Sequence, residues 1–233
     1  MDVLARLDEA RAAINVLDHP FYRRWSAGEL SAGELDLYAG EYRRAVQALA
    51  DASALAAESA GALAAGCGEA DELSEGLRRH ADEEAAHVAL WEQFELSAAA
   101  ASRSSSDSSS SLPASGELEQ TRACVRAWTA GESLLEHLAV LYAIEAGQPE
   151  ISATKIRGLG EHYGFSAEGP ATEYFRLHEL RDVEHARDAR ELIERLIADS
   201  EAPAADAERM VACARDALRG NWLLLDGVEA AAA

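Results

Sequence analysis

The chain has 233 residues, 48 % of them hydrophobic, with 42 acidic against 21 basic residues and a net charge of −21. So acidic a chain repels nucleic acid and anionic membrane surfaces, and neither is expected as a partner. There is no apolar run near ~18 residues, no leader-like N-terminus and no paired cysteine framework in Cys67, Cys124 and Cys213, so the expectation is one domain in a reducing cytoplasm.

Ala, Leu, Glu and Arg dominate and strand-like alternation is absent, which predicts an all-α protein. In chain order, helices are expected over residues 2–17, 20–28, 32–60, 71–97, 116–146, 149–163, 170–199 and 204–225. The punctuation between them is His19-Pro20, Ser31, Gly61, Gly66, Gly68, Gly147 with Pro149, Gly164, Gly169-Pro170 and Pro203, with Gly131 as a kink in the fifth. Residues 98–115, AAAASRSSSDSSSSLPAS, read as a flexible Ser-rich surface loop within the single domain.

Three of these helices carry polar residues where core residues belong. In 71–97 the heptad series is Leu73, Leu77, His80, Glu84, His87, Trp91, Phe94. Glu84 and His87 form Glu-x-x-His on one face, and the heptad count favours Glu84, although Glu83, four before His87, could serve instead. His80 reads as a supporting partner one turn before Glu84. In 116–146 the stripe Leu134, Leu138, Leu141 ends in Glu145, and in 170–199 the series Phe175, His178, Asp182, His185, Ala189, Leu192, Leu196 again has apolar ends. Buried acids and imidazoles must be paired or bound to metal. Mixed imidazole and carboxylate donors without a suitably placed thiolate suit iron or manganese.

Of the 21 basic residues twenty are Arg, and the remaining one is Lys155. Abundant acid with almost no Lys is the pattern of a salt-adapted, halophilic protein. An amine, unlike a guanidinium, becomes a neutral nucleophile when buried, so the lone Lys is a functional candidate.

The segments HPFYRRWSAGELSAGELDLYAGEYRRAV, DEEAAHVALWEQF, LYAIEAGQPEISATKIRGLGEHYGF and YFRLHELRDVEHARDARELIE together resemble the haem-oxygenase-like di-metal oxidases of the TenA/PqqC superfamily. The resemblance is to the branch that holds the Chlamydia protein associating with death domains. It implies a haem-oxygenase-like helical bundle and metal ligands at Glu83, His87, Glu145, His178, Asp182 and His185. The acid and the imidazole lie closer together here than in relatives, by about one helical turn, so Glu83 and Glu84 both remain candidates.

The resemblance further implies two Fe, or one Fe and one Mn, with O2 as co-substrate and an external reductant. It implies p-aminobenzoate synthesis for folate-type cofactors by excision of the enzyme's own tyrosine. Tyr22 matches that tyrosine, Lys155 the internal nitrogen donor, and Tyr42 is a candidate second redox-active ring. A homodimer is the expected assembly. Glu41 stands where thiaminase-like relatives keep a pocket acid, while His19 is expected as a cap and His137 and His162 as structural. The rival readings are a di-iron oxygenase for an external amine or fatty acid, a thiaminase-II/PqqC-like cofactor protein, and a non-catalytic binding protein.

Overall fold

The computed structural model describes residues 2–63, 68–105 and 117–233. Among the described residues every regular element is helical: α1 (Val3–Ala13), α2 (Pro20–Ala27), α3 (Ala32–Leu63), α4 (Gly68–Ser104), α5 (Glu119–Trp128), α6 (Leu134–Glu145), α7 (Gln148–Glu161), α8 (Glu173–Ala198) and α9 (Pro203–Ala232). Short 3-10 turns at Val16–Asp18 and Pro170–Thr172 lead into α2 and α8. None of these helices is long and apolar enough to cross a membrane.

Local chemistry explains most boundaries. His19 is indeed the N-cap of α2: its Nδ1 accepts from Phe21 N at 3.0 Å, with Pro20 in the first turn where no donor is needed. Ser31 and Glu34 make a reciprocal capping box at the start of α3. Ser133 caps α6 by accepting from Glu136 N.

Four expectations change. Gly131 does not kink one long helix; it adopts φ 135° and separates α5 from α6. A side chain is strained there, so this glycine permits a full break. Gly61 does not end α3, which runs on to Leu63. The Ala-rich residues 98–101 extend α4 as far as Ser104, as their helix propensity allows, so the first part of the expected loop is helical. The remainder of that loop, 106–116, lies outside the described residues, as do Gly66 and Cys67. Finally the first expected helix stops at Ala13, and Asn15 caps a separate 3-10 turn.

The architecture centres on α6. All its residues except Leu135 are buried, including Glu145 at its C-terminal end. A helix buried on nearly every side belongs inside a bundle. α3 packs along α4, α8 packs on α6 and α7, and α9 packs against α5 and α6. Three fully buried tryptophans tie the helices together through their ring N–H: Trp25 donates to Lys155 O, Trp91 to Ala39 O at 2.8 Å and Trp128 to Ala217 O at 3.0 Å.

The α2–α7 crossing depends on a missing side chain. A Cβ on Gly158 would lie 2.5 Å from Trp25 Nε1. Gly158→Ala should therefore destabilise the fold by about 1–3 kcal/mol in urea titration. Gly76→Ala, on α4 with nothing within 4 Å of the added carbon, should be neutral or stabilise by about 0.5–1 kcal/mol.

Candidate metal centre

α4, α6 and α8 bring their misplaced polar residues to one point. Glu84 sits in the middle, 2 % exposed, with four imidazoles around its carboxylate. Its Oε1 is 3.1 Å from His87 Nδ1, 3.8 Å from His185 Nδ1 and 3.9 Å from His80 Nε2, and its Oε2 is 3.6 Å from His178 Nε2. Two donor groups result, and both contain Glu84. One is His80, Glu84, Glu145 and His185, the other Glu84, His87 and His178, and within each the donor atoms lie within 4.8 Å of one another.

The orientation of these atoms is informative. His80 Nε2 and Glu145 Oε1 face each other as an ion pair at 2.9 Å, but neither atom has a hydrogen-bond partner. His178 Nε2, His185 Nδ1, both oxygens of Glu145 and both oxygens of Asp182 are likewise buried without a hydrogen-bond partner. So many orphaned polar atoms facing one another would be costly in a finished core. The arrangement fits donor lone pairs directed at a common ion. The His178 ring is oriented for such a bond, since its Nδ1 donates to Tyr174 O at 2.7 Å and leaves Nε2 free to face the centre.

The charges are mutually dependent. Burial works against the Glu84 carboxylate, but His178 and His87 outweigh it and hold its pKa well below the usual range. Burial also opposes a charge on His80, but the facing Glu145 lifts its pKa to about 9. Asp182 is pushed up to about 6, chiefly by burial. Imidazoles and carboxylates with no thiolate among them fit iron or manganese, as the sequence leads one to expect.

The expected ligands fall into two sets. Glu84, His87, Glu145, His178 and His185 converge. Asp182 is 1 % exposed and lies beside the cluster, its Oδ1 3.5 Å from His185 Nδ1. Glu83 is turned toward the surface, its side chain 39 % exposed and paired with Arg181 at 2.6 Å, although His185 Nε2 is 3.4 Å away. Between the two neighbouring acids, the heptad position therefore holds the interior place. His80, expected only as a supporting partner, is a full member of one group. It stands one turn before Glu84.

Beside the centre a cavity of about 620 Å³ reaches the surface between α4 and α8. His80, Glu83 and His185 line it, with Leu138 and Leu141 from α6 and Arg181 near Glu83. Among the described residues no cysteine lines it.

A second cluster lies behind the first. The Lys155 side chain is 1 % exposed and surrounded by rings: its Nζ lies 4.7 Å from the centre of Tyr42, 5.0 Å from Phe175, 5.5 Å from Trp91, 5.6 Å from Tyr38 and 5.8 Å from Tyr22. Among the described residues no carboxylate comes within ion-pair distance of it. Burial lowers its pKa to about 7 from the ordinary 10.5. Tyr22 is equally buried, its hydroxyl 3.2 Å from that of Tyr38. Burial raises the pKa of both tyrosines well above the usual value, so they stay protonated.

The depressed lysine pKa has a stability consequence. Between pH about 7 and 10.5 the unfolded chain keeps a proton that the folded chain has released, so stability rises with pH across that window. Below it both states are protonated and the full penalty of burying the ammonium remains. Lys155→Met should flatten this slope and stabilise the protein at neutral pH by roughly 2–5 kcal/mol, measured by urea unfolding at several pH values.

Other candidates resolve as structural. Glu41 does not line the cavity; it is buried and accepts from Leu118 N at 3.1 Å and from the Thr121 hydroxyl, tying α3 to α5. His137 contacts Ser59 Oγ at 3.1 Å and Gly131 O at 3.2 Å beside the α5–α6 break, and His162 contacts Ser26 O at 3.1 Å.

The chain is similar to known proteins. A sequence profile of the haem-oxygenase type described as iron-containing redox enzyme matches residues 69–221. A 4-aminobenzoate synthase of Chlamydia muridarum is 32 % identical over 232 residues, covering 97 % of this chain and 89 % of the relative. One of Nitrosomonas europaea is 30 % identical, covering 96 % and 89 %. In structure, a TenA homologue of Pseudomonas syringae superposes with a TM-score of 0.73 at 16 % identity, over 98 % of this chain and 91 % of that one, which shows a shared fold. A haem-oxygenase-like domain of Shewanella denitrificans gives 0.70 at 16 % identity, over 99 % and 93 %. The chain belongs to the haem-oxygenase-like family of iron-containing redox enzymes, together with these 4-aminobenzoate synthases.

Proposed function

We propose that this protein is a self-sacrificing 4-aminobenzoate synthase that takes the aromatic ring from Tyr22 and the nitrogen from Lys155. The observation that carries this reading is the placement of the chain's single lysine, buried to 1 % exposure among Tyr22, Tyr38 and Tyr42. A lone lysine kept in a dry aromatic cage, in a chain that otherwise uses Arg, has a chemical role. The names of the relatives support the choice of product.

Two ions, Fe/Fe or Fe/Mn, would be held by His80, Glu84, His87, Glu145, His178 and His185; Glu84 belongs to both donor groups, and Asp182 lies close by. With O2 as co-substrate and an external reductant, such a pair supplies oxidising power that no side chain possesses. The chain's own residues do the rest. The cage excludes water from the ring to be cut. The Tyr38 hydroxyl orients that of Tyr22. The Lys155 amine is neutral in a large share of molecules at neutral pH, so its lone pair is available to form a bond to carbon, and release of the product then requires the Cε–Nζ bond of Lys155 to break. Arg at the same place would stay charged and could not do this. The cavity beside His80 and His185 serves as the entry for O2 and reductant.

Isotope transfer tests the reading. Protein grown with ring-¹³C tyrosine and side-chain ¹⁵N lysine is loaded with iron without oxygen, then exposed to air with a reductant. Both labels should appear in the aminobenzoate. Unlabelled aminobenzoate, or oxidation of an added amine or fatty acid without any aminobenzoate, would favour an external substrate.

A further inference from the structure

The residues that touch Tyr22 are not the residues that converge on Glu84, so an electron leaving Tyr22 has to cross the space between the two clusters. That space is filled by rings in contact. On the metal side Tyr174 stacks on the His178 imidazole, with centroids 3.9 Å apart and planes at 25°. Trp91 meets Tyr174 edge-on at 5.0 Å. On the far side Trp91 stacks on Tyr42 at 5.1 Å and 29°, and Tyr42 lies 5.2 Å from Tyr38. Tyr38 also approaches Trp91 itself at 6.0 Å and shares its hydroxyl contact with Tyr22. Packing requires none of these rings to be redox-active; leucine or phenylalanine fills a core equally well.

We infer that Trp91 is a stepping stone for one-electron transfer from Tyr22 to the candidate metal centre, linked through Tyr174 on the metal side and through Tyr42 and Tyr38 on the other. The inference rests on the reading that Tyr22 is the ring consumed. The oxidant is an oxidised metal ion of the centre, which gains one electron from Trp91 by way of Tyr174 and His178. Trp91 keeps its ring proton, since Nε1–H faces the Ala39 carbonyl, which is not a base, and it regains an electron from the Tyr38–Tyr22 pair. The phenolic proton of Tyr22 moves to Tyr38 across their 3.2 Å contact as Tyr38 gives its own to the Lys155 amine, whose Nζ lies 5.6 Å from the centre of that ring; the ammonium so formed has no lone pair, so its bond to carbon waits on loss of that proton. The net change is one electron on the metal, one proton on Lys155 and a neutral oxygen-centred radical on Tyr22. Trp91 and Tyr174 are positioning residues in this scheme, because neither touches the ring that reacts.

The test is freeze-quenched electron paramagnetic resonance on the full-length, iron-loaded protein after exposure to oxygen. The protein is grown with ring-deuterated tyrosine to identify the radical, and Tyr22→Phe is used to assign it. Trp91→Phe and Trp91→Tyr are compared at equal bound iron. Both keep an aromatic ring, but phenylalanine cannot be oxidised at the potentials available to tyrosine. The Tyr22-dependent signal should be lost in Trp91→Phe and restored in Trp91→Tyr. Tyr174→Phe, with Trp91 intact, should delay its appearance. A signal in Trp91→Phe that forms as fast as in the parent would overturn the relay, and so would equal loss in both Trp91 variants, which would make the ring a packing element. No Tyr22-dependent radical in the parent would also overturn it. A Trp91-dependent Tyr22 radical alongside aminobenzoate that carries no tyrosine label would instead sink the proposed function and leave the relay standing.

Discussion

Tyr22→Phe should abolish aminobenzoate formation while leaving the fold and the bound metal unchanged. The ring of Tyr22 is packed among Phe21, Trp25 and Tyr38, and phenylalanine fills the same volume. What disappears is the hydroxyl, with its 3.2 Å contact to Tyr38. Losing one buried hydroxyl contact costs about 1–3 kcal/mol, a modest loss for a bundle this well packed. Chemically the change is total, because an unsubstituted ring offers no phenol to oxidise. Product by mass spectrometry, iron by elemental analysis and unfolding by circular dichroism separate these effects. Undiminished product from Tyr22→Phe would mean that another ring or an added molecule supplies the carbon skeleton.

Glu84→Ala should strip the metal, and Glu83→Ala should not. The two acids are neighbours in sequence but differ in every physical respect. Glu84 is 2 % exposed and belongs to both donor groups, so its removal takes a ligand from each. It also removes a buried anion from among four imidazoles, of which His80 and His178 owe part of their raised pKa to it, and this adds a stability cost in the metal-free protein. Glu83 pairs with Arg181 near the cavity mouth, and exposed pairs of that kind contribute at most about 1 kcal/mol. Iron retained per chain after gel filtration should fall to near background in Glu84→Ala and match the parent in Glu83→Ala. The reverse outcome would place the ligand at Glu83 and require α4 to rotate.

Much of the site is legible in the sequence because helices convert spacing into direction. His178, Asp182 and His185 recur at core positions between Phe175 and Leu192, and the structure buries all three. Glu145 ends an apolar stripe and is buried at the end of α6. The choice between Glu83 and Glu84 follows the same logic, since about 100° of rotation separates an interior residue from one at the rim. The fold class is equally plain in the absence of alternation.

Other features need tertiary information. His80 occupies a heptad position like its neighbours, but nothing local says that Glu145, on a different helix, will face it. The composition singles out Lys155, yet its aromatic cage is assembled from α2, α3, α4 and α8, so its lowered pKa cannot be read from α7 alone. The break at Gly131 reads as a kink because glycine permits both outcomes, and the choice is made where α5 and α6 each dock on α9. The Ala run at 98–101 shares the low complexity of the serines after it, but its own propensity is helical and that propensity prevails. Glu41 shows the limit of resemblance: the acid expected in a pocket instead satisfies donors of α5 and the residue before it.

The decisive experiment weighs the intact chain before and after one exposure of the iron-loaded protein to air, and then maps its peptides. Excision of the ring and transfer of the nitrogen predict losses of mass at positions 22 and 155, in step with the aminobenzoate released and never exceeding one product per chain. Product accumulating over many cycles from a chain of unaltered mass would contradict self-sacrifice.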